Sequence, residues 1–408
     1  MTKKIYVRQY YLGKIRGFYN SDLIKVISGI RRCGKSCFML SVIEDLKQHG
    51  VADKDIIYLN LDKRGFTKIK TPEALEAAIE AQIKDDSFKY ILIDEVQNVA
   101  GFEETINAYR EDGNFSIFIT GSNSYLLSGE LATKLTGRYI EIEMFTLNFR
   151  EFIEMKKFLG KPVHANIAEE FNEYIRFGGF PKTLEFDSPE DKDLYVAGVI
   201  SQILDKDVKR HKKIRKRAVF EQVMTYVINN FGATTSLSNI AEYFQNEGIT
   251  ILPETLNTYL KILESAKIIY KCPRFDVKSK KSLRGEQKYY LADLSIYFSR
   301  NVDARINYGP VLENIVYTYL SAKGYKVSVG RIGTLECDFI TRIQDEYRYV
   351  QVAMTIMDEK TENREYAPFT KIRDNYPKYL LTMDSLLQKR NGVIHKNITD
   401  FIANDENL

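Results

Sequence analysis

The residues whose types and spacing most clearly carry chemistry lie between positions 29 and 36. They read Gly29-Ile30-Arg31-Arg32-Cys33-Gly34-Lys35-Ser36, which matches the pattern G-x-x-x-x-G-K-S. Glycines at these positions allow the backbone to curl around phosphate groups with its N–H groups pointing inward. At this spacing Lys35 reaches the β- and γ-phosphates of a nucleoside triphosphate, and the Ser36 hydroxyl binds Mg²⁺. The sequence therefore predicts a nucleotide site.

The segments on either side of this loop have the patterns that such a site requires. A short β-branched run over residues 23–28 predicts a buried strand, and residues 36–49 have apolar positions at helical spacing. The amino end of that helix would direct its positive dipole at the same phosphates. An ordinary glycine turn between a strand and a helix is the alternative interpretation. The expected cofactors are ATP and Mg²⁺, and the predicted nucleotide-binding residues are Gly29, Cys33, Gly34, Lys35, Ser36 and Cys37.

A second group of chemically capable residues follows two further strands. Asp94 and Glu95 come directly after four apolar residues, as the acidic pair of a Walker B strand does. We expect Asp94 to hold Mg²⁺, directly or through water, and Glu95 to polarise the attacking water. Asn123, after the next predicted strand, is expected to orient that water. The alternative for the acidic pair is a solvated strand end.

Strands alternate with helices through the first 150 residues, which predicts a parallel sheet covered on both faces. Ligands on such sheets bind at the carboxyl ends of the strands, where Lys35, Asp94, Glu95 and Asn123 would meet. The predicted fold class is therefore α/β, with the sheet of a P-loop NTPase.

These motifs resemble those of the AAA-type ATPase superfamily. In particular, they are similar to a prokaryotic family that joins an ATPase domain to a C-terminal domain of unknown function. The resemblance runs in order through residues 20–185 and continues more weakly to the C-terminus. Its motifs are Ile24-Lys25-Val26-Ile27-Ser28-Gly29-Ile30-Arg31-Arg32, Asp94-Glu95-Val96-Gln97, Thr120-Gly121-Ser122-Asn123, Leu135-Thr136-Gly137-Arg138, Thr146-Leu147-Asn148-Phe149-Arg150-Glu151-Phe152 and Gly178-Gly179-Phe180-Pro181.

The resemblance implies ATP hydrolysis and two further catalytic positions. Asn123 corresponds to the sensor 1 residue. Arg138 stands where AAA-type proteins carry an arginine finger, which stabilises transition-state charge on a neighbouring subunit's nucleotide. A finger at Arg138 requires a homo-oligomer, whereas the alternative is a surface residue near a helix C-terminus.

The middle of the chain is predicted to contain a helical lid and a winged helix. Residues 151–204 are helix-rich, and residues 205–217 contain eight Lys or Arg and two Asp. Three helices and a hairpin follow, and they resemble a winged helix. The hairpin tip carries four basic residues, Lys278, Lys280, Lys281 and Arg284. The sequence leaves open whether this region binds DNA or a partner protein. The alternative for the charge run is a solvated face that binds neither.

Residues 305–408 resemble the core of a PD-(D/E)XK nuclease, a restriction-endonuclease-like α/β fold. Glu313, Asp338 and Gln351 match its first three positions, but Ala353 stands where a lysine is expected. Without that cation the hydrolytic site is incomplete, so we expect a nuclease-like domain that does not cleave. Transfer of the lysine's role to another position is the open alternative.

The amino-acid composition limits which partners and cellular compartments are expected. The 408 residues include 59 Lys+Arg and 55 Asp+Glu, and the resulting net charge of +4 does not by itself indicate nucleic-acid binding. Four cysteines without a C-x-x-C pair fit a reducing compartment, and no apolar run approaches the roughly 20 residues of a membrane span. We therefore expect a cytoplasmic protein without membrane contact.

The sequence thus predicts four segments: 1–150, an ATPase core; 151–204, a helical lid; 205–300, a basic linker and winged helix; and 305–408, the nuclease-like domain. The predicted function is Mg²⁺-dependent ATP binding and hydrolysis coupled to DNA or to a partner protein. Two alternatives stay open. One is a non-hydrolysing, nucleotide-dependent protein-interaction switch, and the other is an ATP-driven DNA nuclease.

Overall fold

The computed structural model describes residues 4–121, 135, 137–208, 214, 216–301 and 306–408. The chain divides into two compact units, Met1–Met144 and Phe145–Leu408. The first unit ends six residues before the boundary expected for the ATPase core. The second unit contains the three segments that the sequence predicts after that core.

The first unit is built on a parallel sheet in the spatial order β2–β3–β4–β1–β5. Its strands are β1 (Ile24–Ser28), β2 (Ile56–Asn60), β3 (Lys89–Asp94), β4 (Phe115–Thr120) and β5 (Tyr139–Glu143). Every residue of β1 and β3 is buried, because a parallel sheet with helices on both faces leaves its central strands no solvent side. The predicted α/β fold with a parallel sheet is confirmed for this unit.

Within the described residues this unit has four α-helices, of which the first precedes β1 and the other three connect β1 to β2, β2 to β3 and β3 to β4. They are α1 (Gln9–Arg16), α2 (Lys35–Gln48), α3 (Pro72–Glu80) and α4 (Phe102–Glu111). Local sequence explains where α3 begins, because the Thr71 side chain accepts a hydrogen bond from the Ala74 N–H group at 3.3 Å and Pro72 occupies the first turn. Leu75 and Ile79 of α3 are completely buried in the core that also contains β3. Truncating either to alanine should cost about 2–5 kcal/mol of folding free energy.

The second unit begins with helices over the segment predicted to be helix-rich. They are α5 (Phe149–Phe158), α6 (Ile167–Phe177) and α7 (Pro189–Gln202), and a π-helical turn at Ile203–Val208 follows. A capping box formed by Asn148 and Glu151 starts α5. Its buried Lys156 then pairs with Glu170 of α6 at 2.7 Å. The role of these helices as a lid stays a prediction.

Three further helices and a hairpin follow. The helices are α8 (Arg217–Asn229), α9 (Leu237–Asn246) and α10 (Pro253–Ser265), and the hairpin strands are β6 (Ile269–Asp276) and β7 (Lys281–Leu291). Ser236 begins α9 by accepting the Asn239 N–H group at 3.1 Å. Thr235 forms an antiparallel bridge to Gln287 of β7. The segment between α8 and α9 therefore joins the hairpin through one isolated bridge.

The hairpin also belongs to a larger sheet with the order β12–β13–β11–β10–β9–β8–β6–β7. Its other strands are β8 (Lys326–Ile332), β9 (Leu335–Ile343), β10 (Glu346–Val352), β11 (Lys378–Thr382), β12 (Lys389–Arg390) and β13 (Val393–Asn397), and its helices are α11 (Ser295–Phe298), α12 (Tyr308–Ala322), α13 (Glu359–Lys371) and α14 (Ile398–Ala403). β6 pairs with β8 in parallel through Arg274 and Val329. The predicted boundary between the winged-helix segment, which ends at residue 300, and the nuclease-like segment, which begins at residue 305, therefore lies within one continuous sheet.

Candidate functional site

The loop between β1 and α2 has a backbone that only glycine accommodates at two positions. Gly29 and Gly34 have φ angles of +137° and +107°, in the region that side chains disfavour. A Cβ atom on Gly29 would lie 2.2 Å from the Met144 carbonyl oxygen and 2.9 Å from the Cys33 sulfur. Cys33 itself is completely buried. The loop therefore packs against the backbone of Met144, the residue that follows β5, and leaves no room for a side chain at Gly29.

The amino end of α2 faces the same loop. Gly34 is the residue that precedes the helix, and it has no side chain to accept hydrogen bonds from the first turn. Backbone N–H groups of such a turn, reinforced by the helix dipole, form an anion site. Lys35 starts the helix and donates from its ammonium group to the carbonyl oxygens of Gly29 at 2.8 Å and Ile30 at 3.2 Å. Ser36 is half-buried and Cys37 is exposed.

Asp94 is the last residue of β3 and is completely buried. One carboxylate oxygen accepts the Thr120 hydroxyl, and the other accepts the Asn60 amide at 2.8 Å and the Tyr58 hydroxyl at 3.4 Å. Burial first and the Asp94 charge second raise the pKa of Tyr58 to about 12. The carboxylate is thus fixed in orientation by the strands on both sides of β3.

Glu95 follows Asp94 with a φ angle of +60°, which turns its side chain out of the strand direction. Its N–H group donates to the Thr120 hydroxyl oxygen at 3.1 Å, and its carboxylate accepts the Gln97 amide at 2.5 Å. The Thr120 hydroxyl therefore contacts both acidic residues, as donor to one and acceptor from the other.

The three residues that hold Asp94 were not predicted from the sequence, although a signal exists for two of them, Asn60 and Thr120. Asn60, Asp94 and Thr120 are the final residues of three neighbouring parallel strands, and Asn60 pairs in register with Asp94. A polar residue at the last position of each strand in an otherwise apolar sheet indicates one cluster at the carboxyl edge. Asn123 lies outside the described residues, so its predicted role stays a prediction.

Arg138 lies at the opposite edge of this sheet. The N–H group of Ile24, the first residue of β1, donates to the Arg138 carbonyl oxygen at 2.9 Å. The guanidinium group is 3.8 Å from Glu111, and the side chain is 45% exposed. Five residues of β1 separate the two edges by roughly 15 Å. Arg138 therefore cannot reach the loop at Lys35 in its own chain.

The second unit contains a cleft of about 640 Å³. Polar side chains from several elements line it, and they include Lys288 of β7, Glu313 of α12, Glu336 and Asp338 of β9, Gln351 of β10 and Glu365 of α13. All three predicted nuclease-like positions therefore open onto one cleft, and so does Ala353.

A lysine that sequence analysis did not identify lies among these carboxylates. The Lys288 ammonium group is 2.9 Å from Glu313 and 2.9 Å from Glu336. Although burial opposes its charge, the carboxylates of Glu313, Asp338 and Glu336 raise the pKa of Lys288. Burial and then the Glu313 charge raise the pKa of Asp338 well above its usual range.

The predicted nucleic-acid-binding features of the middle segment are only partly described. In the basic run, residues 209–213 and 215 lie outside the described residues. At the hairpin tip, Lys278 and Lys281 are exposed. The Lys280 side chain is also 40% exposed, but its ammonium group lies 4.4 Å from the Tyr347 ring centre and 3.3 Å from Asp374. Lys280 is therefore engaged by its own sheet.

Comparison with protein families identifies two matched segments. A family model described as an AAA domain matches residues 21–153, and one described as a domain of unknown function, DUF8612, matches residues 168–303. The predicted resemblance of an ATPase domain joined to a domain of unknown function is confirmed by these matches. The resemblance of residues 305–408 to a nuclease stays a prediction.

Two relatives and one solved structure match most of the chain. An uncharacterized protein of Haemophilus influenzae is 34% identical over 383 residues, which cover 94% of this chain and 94% of that protein. The uncharacterized protein MJ1544 of Methanocaldococcus jannaschii is 31% identical over 311 residues, which cover 74% of this chain and 67% of that protein. The Walker-type ATPase PABY2304 of Pyrococcus abyssi matches with a TM-score of 0.50 and 16% identity over 72% of this chain and 94% of that one, which indicates a shared fold. Within the described residues, no helix is long and apolar enough to cross a membrane.

Proposed function

We propose that this chain, which belongs to the same family as the Haemophilus influenzae and Methanocaldococcus jannaschii proteins and has an AAA-type P-loop ATPase fold, binds ATP with Mg²⁺ and hydrolyses it. The observation that carries the proposal is the meeting of two features at one sheet edge. The loop of Gly29–Ser36 presents its backbone and Lys35 there, and β3 ends there with a buried, oriented Asp94.

The residues at this edge fit the groups that ATP and Mg²⁺ would present. Lys35 would exchange its contacts with the loop carbonyls for the β- and γ-phosphates, because phosphate oxygens are the stronger acceptors for an ammonium group. The Ser36 hydroxyl and the Asp94 carboxylate are hard oxygen ligands suited to Mg²⁺. When bound, Mg²⁺ supplies charge neutralisation on the transferring phosphoryl group.

Glu95 is proposed as the group that polarises the attacking water. Its carboxylate is half-buried and held by Gln97, so its direction is set before the substrate binds. Because Thr120 contacts both Glu95 and Asp94, it acts as a positioning residue for the metal ligand and the base together. Asn123 is proposed as the residue that orients the water.

Arg138 is proposed to act on the nucleotide of a neighbouring subunit. Its position at the amino edge of the sheet rules out contact with its own site, and its weak 3.8 Å pairing with Glu111 leaves the guanidinium group free to change partner at little cost. The active form would accordingly be a homo-oligomer.

The three-helix segment with its hairpin has the element order of a winged helix, and we propose that it couples nucleotide state to a partner. On α10, which would be the recognition helix, Lys261 and Glu254 are exposed and Glu264 is half-buried. One basic and two acidic residues form a poor surface for a DNA groove, since phosphate contacts depend on clustered Lys and Arg. This charge balance favours a protein partner at α10 over DNA.

Steady-state phosphate release tests the proposal. Lys35→Ala should abolish nucleotide binding, whereas Glu95→Gln should bind ATP but lose turnover by at least about 100-fold. Turnover by Glu95→Gln at the wild-type rate would contradict the assignment of the base. ATP binding without measurable turnover in the wild type would instead identify a non-hydrolysing switch. Repeating the assay with DNA at several salt concentrations separates the partners. A protein partner predicts no stimulation by DNA, whereas binding to DNA predicts stimulation that fades as salt rises.

A further inference from the structure

The loop that follows β2, residues 62–70, carries an excess of positive charge at the carboxyl edge of the parallel sheet. This basic loop contains four Lys or Arg and one Asp. We propose that the basic loop binds the sugar–phosphate backbone of a nucleic acid, and that Asn60 links the bound strand to Asp94. The surface belongs to the first unit and involves neither α10 nor the cleft of the second unit.

The cations of the basic loop are exposed and have no acidic partners. None of the four forms a salt bridge within the described residues; they are Lys63, Arg64, Lys68 and Lys70. Lys63 lies 5.9 Å from the ring centre of Tyr58, which leaves its charge uncompensated. Two other exposed lysines of this unit are paired, since Lys47 and Lys54 lie 2.8 Å and 2.7 Å from an aspartate. Because like charges repel within so short a loop, an anionic partner would stabilise it.

The basic loop has a defined conformation. The N–H groups of Phe66 and Ile69 donate to the carbonyl oxygens of Lys63 at 2.8 Å and of Phe66 at 3.0 Å. Ile69 is buried in the core that contains β3, and Phe66 packs against the same core. The Ala100 N–H group donates to the Lys70 carbonyl oxygen at 3.2 Å and fixes the end of the loop. The cations are therefore presented by ordered backbone, so binding costs less conformational entropy than it would for a disordered basic segment.

The basic loop offers charge without an apolar contact surface. Its two apolar side chains, Phe66 and Ile69, pack against the core, and its exposed residues are charged, polar or glycine. The centres of protein interfaces are enriched in aromatic residues and depleted in lysine. Phosphate groups instead require clustered Lys and Arg, and Arg64 can contact one phosphate through two nitrogens. These features favour a nucleic-acid backbone over an acidic protein surface, and such contacts carry no sequence information.

Asn60 connects the basic loop to Asp94. Its carbonyl oxygen accepts the Lys63 N–H group at 3.0 Å, and its side-chain oxygen accepts the Asp62 N–H group at 3.2 Å. Its side-chain amide donates to the Asp94 carboxylate at 2.8 Å. A strand bound at the loop would therefore act on a residue that orients Asp94, and a nucleotide bound at Asp94 would change the affinity of the loop by the same factor. This link rests on the proposed function, whereas the binding surface does not.

Fluorescence anisotropy of labelled duplex DNA, single-stranded DNA and RNA tests the surface. Each probe is titrated with the full chain in the absence of nucleotide, at salt concentrations from about 50 to 200 mM. The three probes distinguish the sources of the backbone. Labelled polyglutamate is the probe for an acidic protein surface.

The variants remove charge from exposed positions. The loop variant combines four substitutions, Lys63→Gln, Arg64→Gln, Lys68→Gln and Lys70→Gln. A two-residue variant combines Lys68→Gln with Lys70→Gln. Its matched control combines Lys47→Gln with Lys54→Gln, which removes the same charge from exposed lysines of the same unit. Circular dichroism verifies that each variant is folded.

The expected result is a change in the salt dependence of binding. Four phosphate contacts contribute a slope of about −3.6 to the logarithm of the duplex binding constant against the logarithm of salt concentration. This contribution weakens binding about 150-fold when salt rises fourfold. The loop variant should therefore have a slope that is less steep than wild type by about 3.6, and the two-residue variant one that is less steep by about 1.8. The matched control should retain the wild-type slope.

Three results would overturn the proposed surface. They are no binding of any nucleic acid by the folded wild type at about 50 mM salt, binding by the loop variant within threefold of wild type, and a loss in the matched control equal to that in the two-residue variant. Polyglutamate that binds as tightly as the nucleic acids would identify an acidic protein surface instead. The phosphate-release assay with DNA is also made with the loop variant, in which salt-sensitive stimulation must come from another surface.

The link through Asn60 is tested separately, with Mg²⁺ and a non-hydrolysable ATP analogue added. The analogue should change the nucleic-acid affinity of the wild type at least about threefold, and Asn60→Ala should lose this change while it still binds nucleic acid. An unchanged affinity in wild type that binds the analogue by calorimetry would overturn the link. Failure of the wild type to bind the analogue would contradict the proposed function and leave the result for the basic loop intact.

Discussion

Thr120 offers the sharpest test of how the nucleotide site is assembled. Its side chain is completely buried, and its hydroxyl donates to Asp94 and accepts the Glu95 N–H group. Thr120→Val keeps the shape of the side chain but removes both hydrogen bonds. A hydrogen bond to a charged group contributes about 1.5–3 kcal/mol. If that energy is lost in the transition state, kcat should fall about 10- to 150-fold.

The assay measures kcat, KM for ATP and the Mg²⁺ concentration that gives half-maximal rate. Because Lys35 and the loop are unchanged, KM should change less than kcat, and the Mg²⁺ requirement should rise as Asp94 loses its orientation. Thr120→Ser, which restores the hydroxyl, should recover most of the rate. Thr105→Val is the matched control, since Thr105 is a buried threonine of α4 whose hydroxyl bonds the Pro72 carbonyl at 3.2 Å. A kcat for Thr120→Val within threefold of wild type, at an unchanged Mg²⁺ requirement, would show that Thr120 does not position Asp94 and Glu95.

Three further predictions follow from the same structure. Gly29→Ala should abolish ATP binding, measured by calorimetry, because the added Cβ would overlap the Met144 carbonyl. Gly113→Ala is the control, since Gly113 has a φ of +79° but open space around it, and this variant should bind ATP normally. Equal ATP binding by the two variants would contradict the loop geometry. Arg138→Ala should lower kcat more than about 100-fold without changing ATP affinity, and mixing it with Glu95→Gln should partly restore phosphate release if the finger acts between subunits. Burial lowers the pKa of His395 below 6.5 in the folded protein. The contribution of the neutral ring to the free energy of unfolding is therefore complete above pH 6.5 and is lost as the pH falls below that value. The second unit should therefore unfold at a lower temperature at pH 5.5 than at pH 7.5, and an unfolding temperature with the same pH dependence in His395→Gln would contradict this assignment.

The structural reason for the His395 prediction is local. The Gln388 N–H group donates to Nδ1 of the ring at 2.9 Å, and the Thr382 hydroxyl lies 2.8 Å from Nε2. Because Nδ1 is an acceptor in this arrangement, a second ring proton would break the contact with Gln388.

How far sequence alone predicts this molecule depends on the range of the interactions. Lys35, Ser36 and Asp94 could be predicted as site residues because a loop between a strand and a helix, and acids at a strand end, are local patterns. Asn60 was overlooked because its importance comes from register with Asp94 across two strands. Each of these residues nevertheless lies at the carboxyl edge that the strand–helix alternation predicts.

The second unit shows where local patterns are insufficient. Glu313, Asp338 and Gln351 were predicted to lie together from a resemblance to a nuclease core, and the structure brings them to one cleft. Lys288 could not be found in the same way, because it approaches them only through the parallel pairing of β6 with β8, strands separated by more than 50 residues. The absence of a lysine at Ala353 was visible in the sequence, whereas the position of Lys288 beside Glu313 and Glu336 depends on tertiary structure.

We propose that the first unit holds a nucleoside triphosphate between the Gly29–Ser36 loop and Asp94. Isothermal titration of ATP into the full chain in magnesium buffer, compared with Lys35→Ala, tests it most directly. We predict saturable binding by the wild type and loss of at least about 100-fold in affinity in the variant, since one charged contact is removed from a largely desolvated site. Absence of binding heat for the folded wild type with ATP or GTP, or equal affinities for the two proteins, would contradict the account.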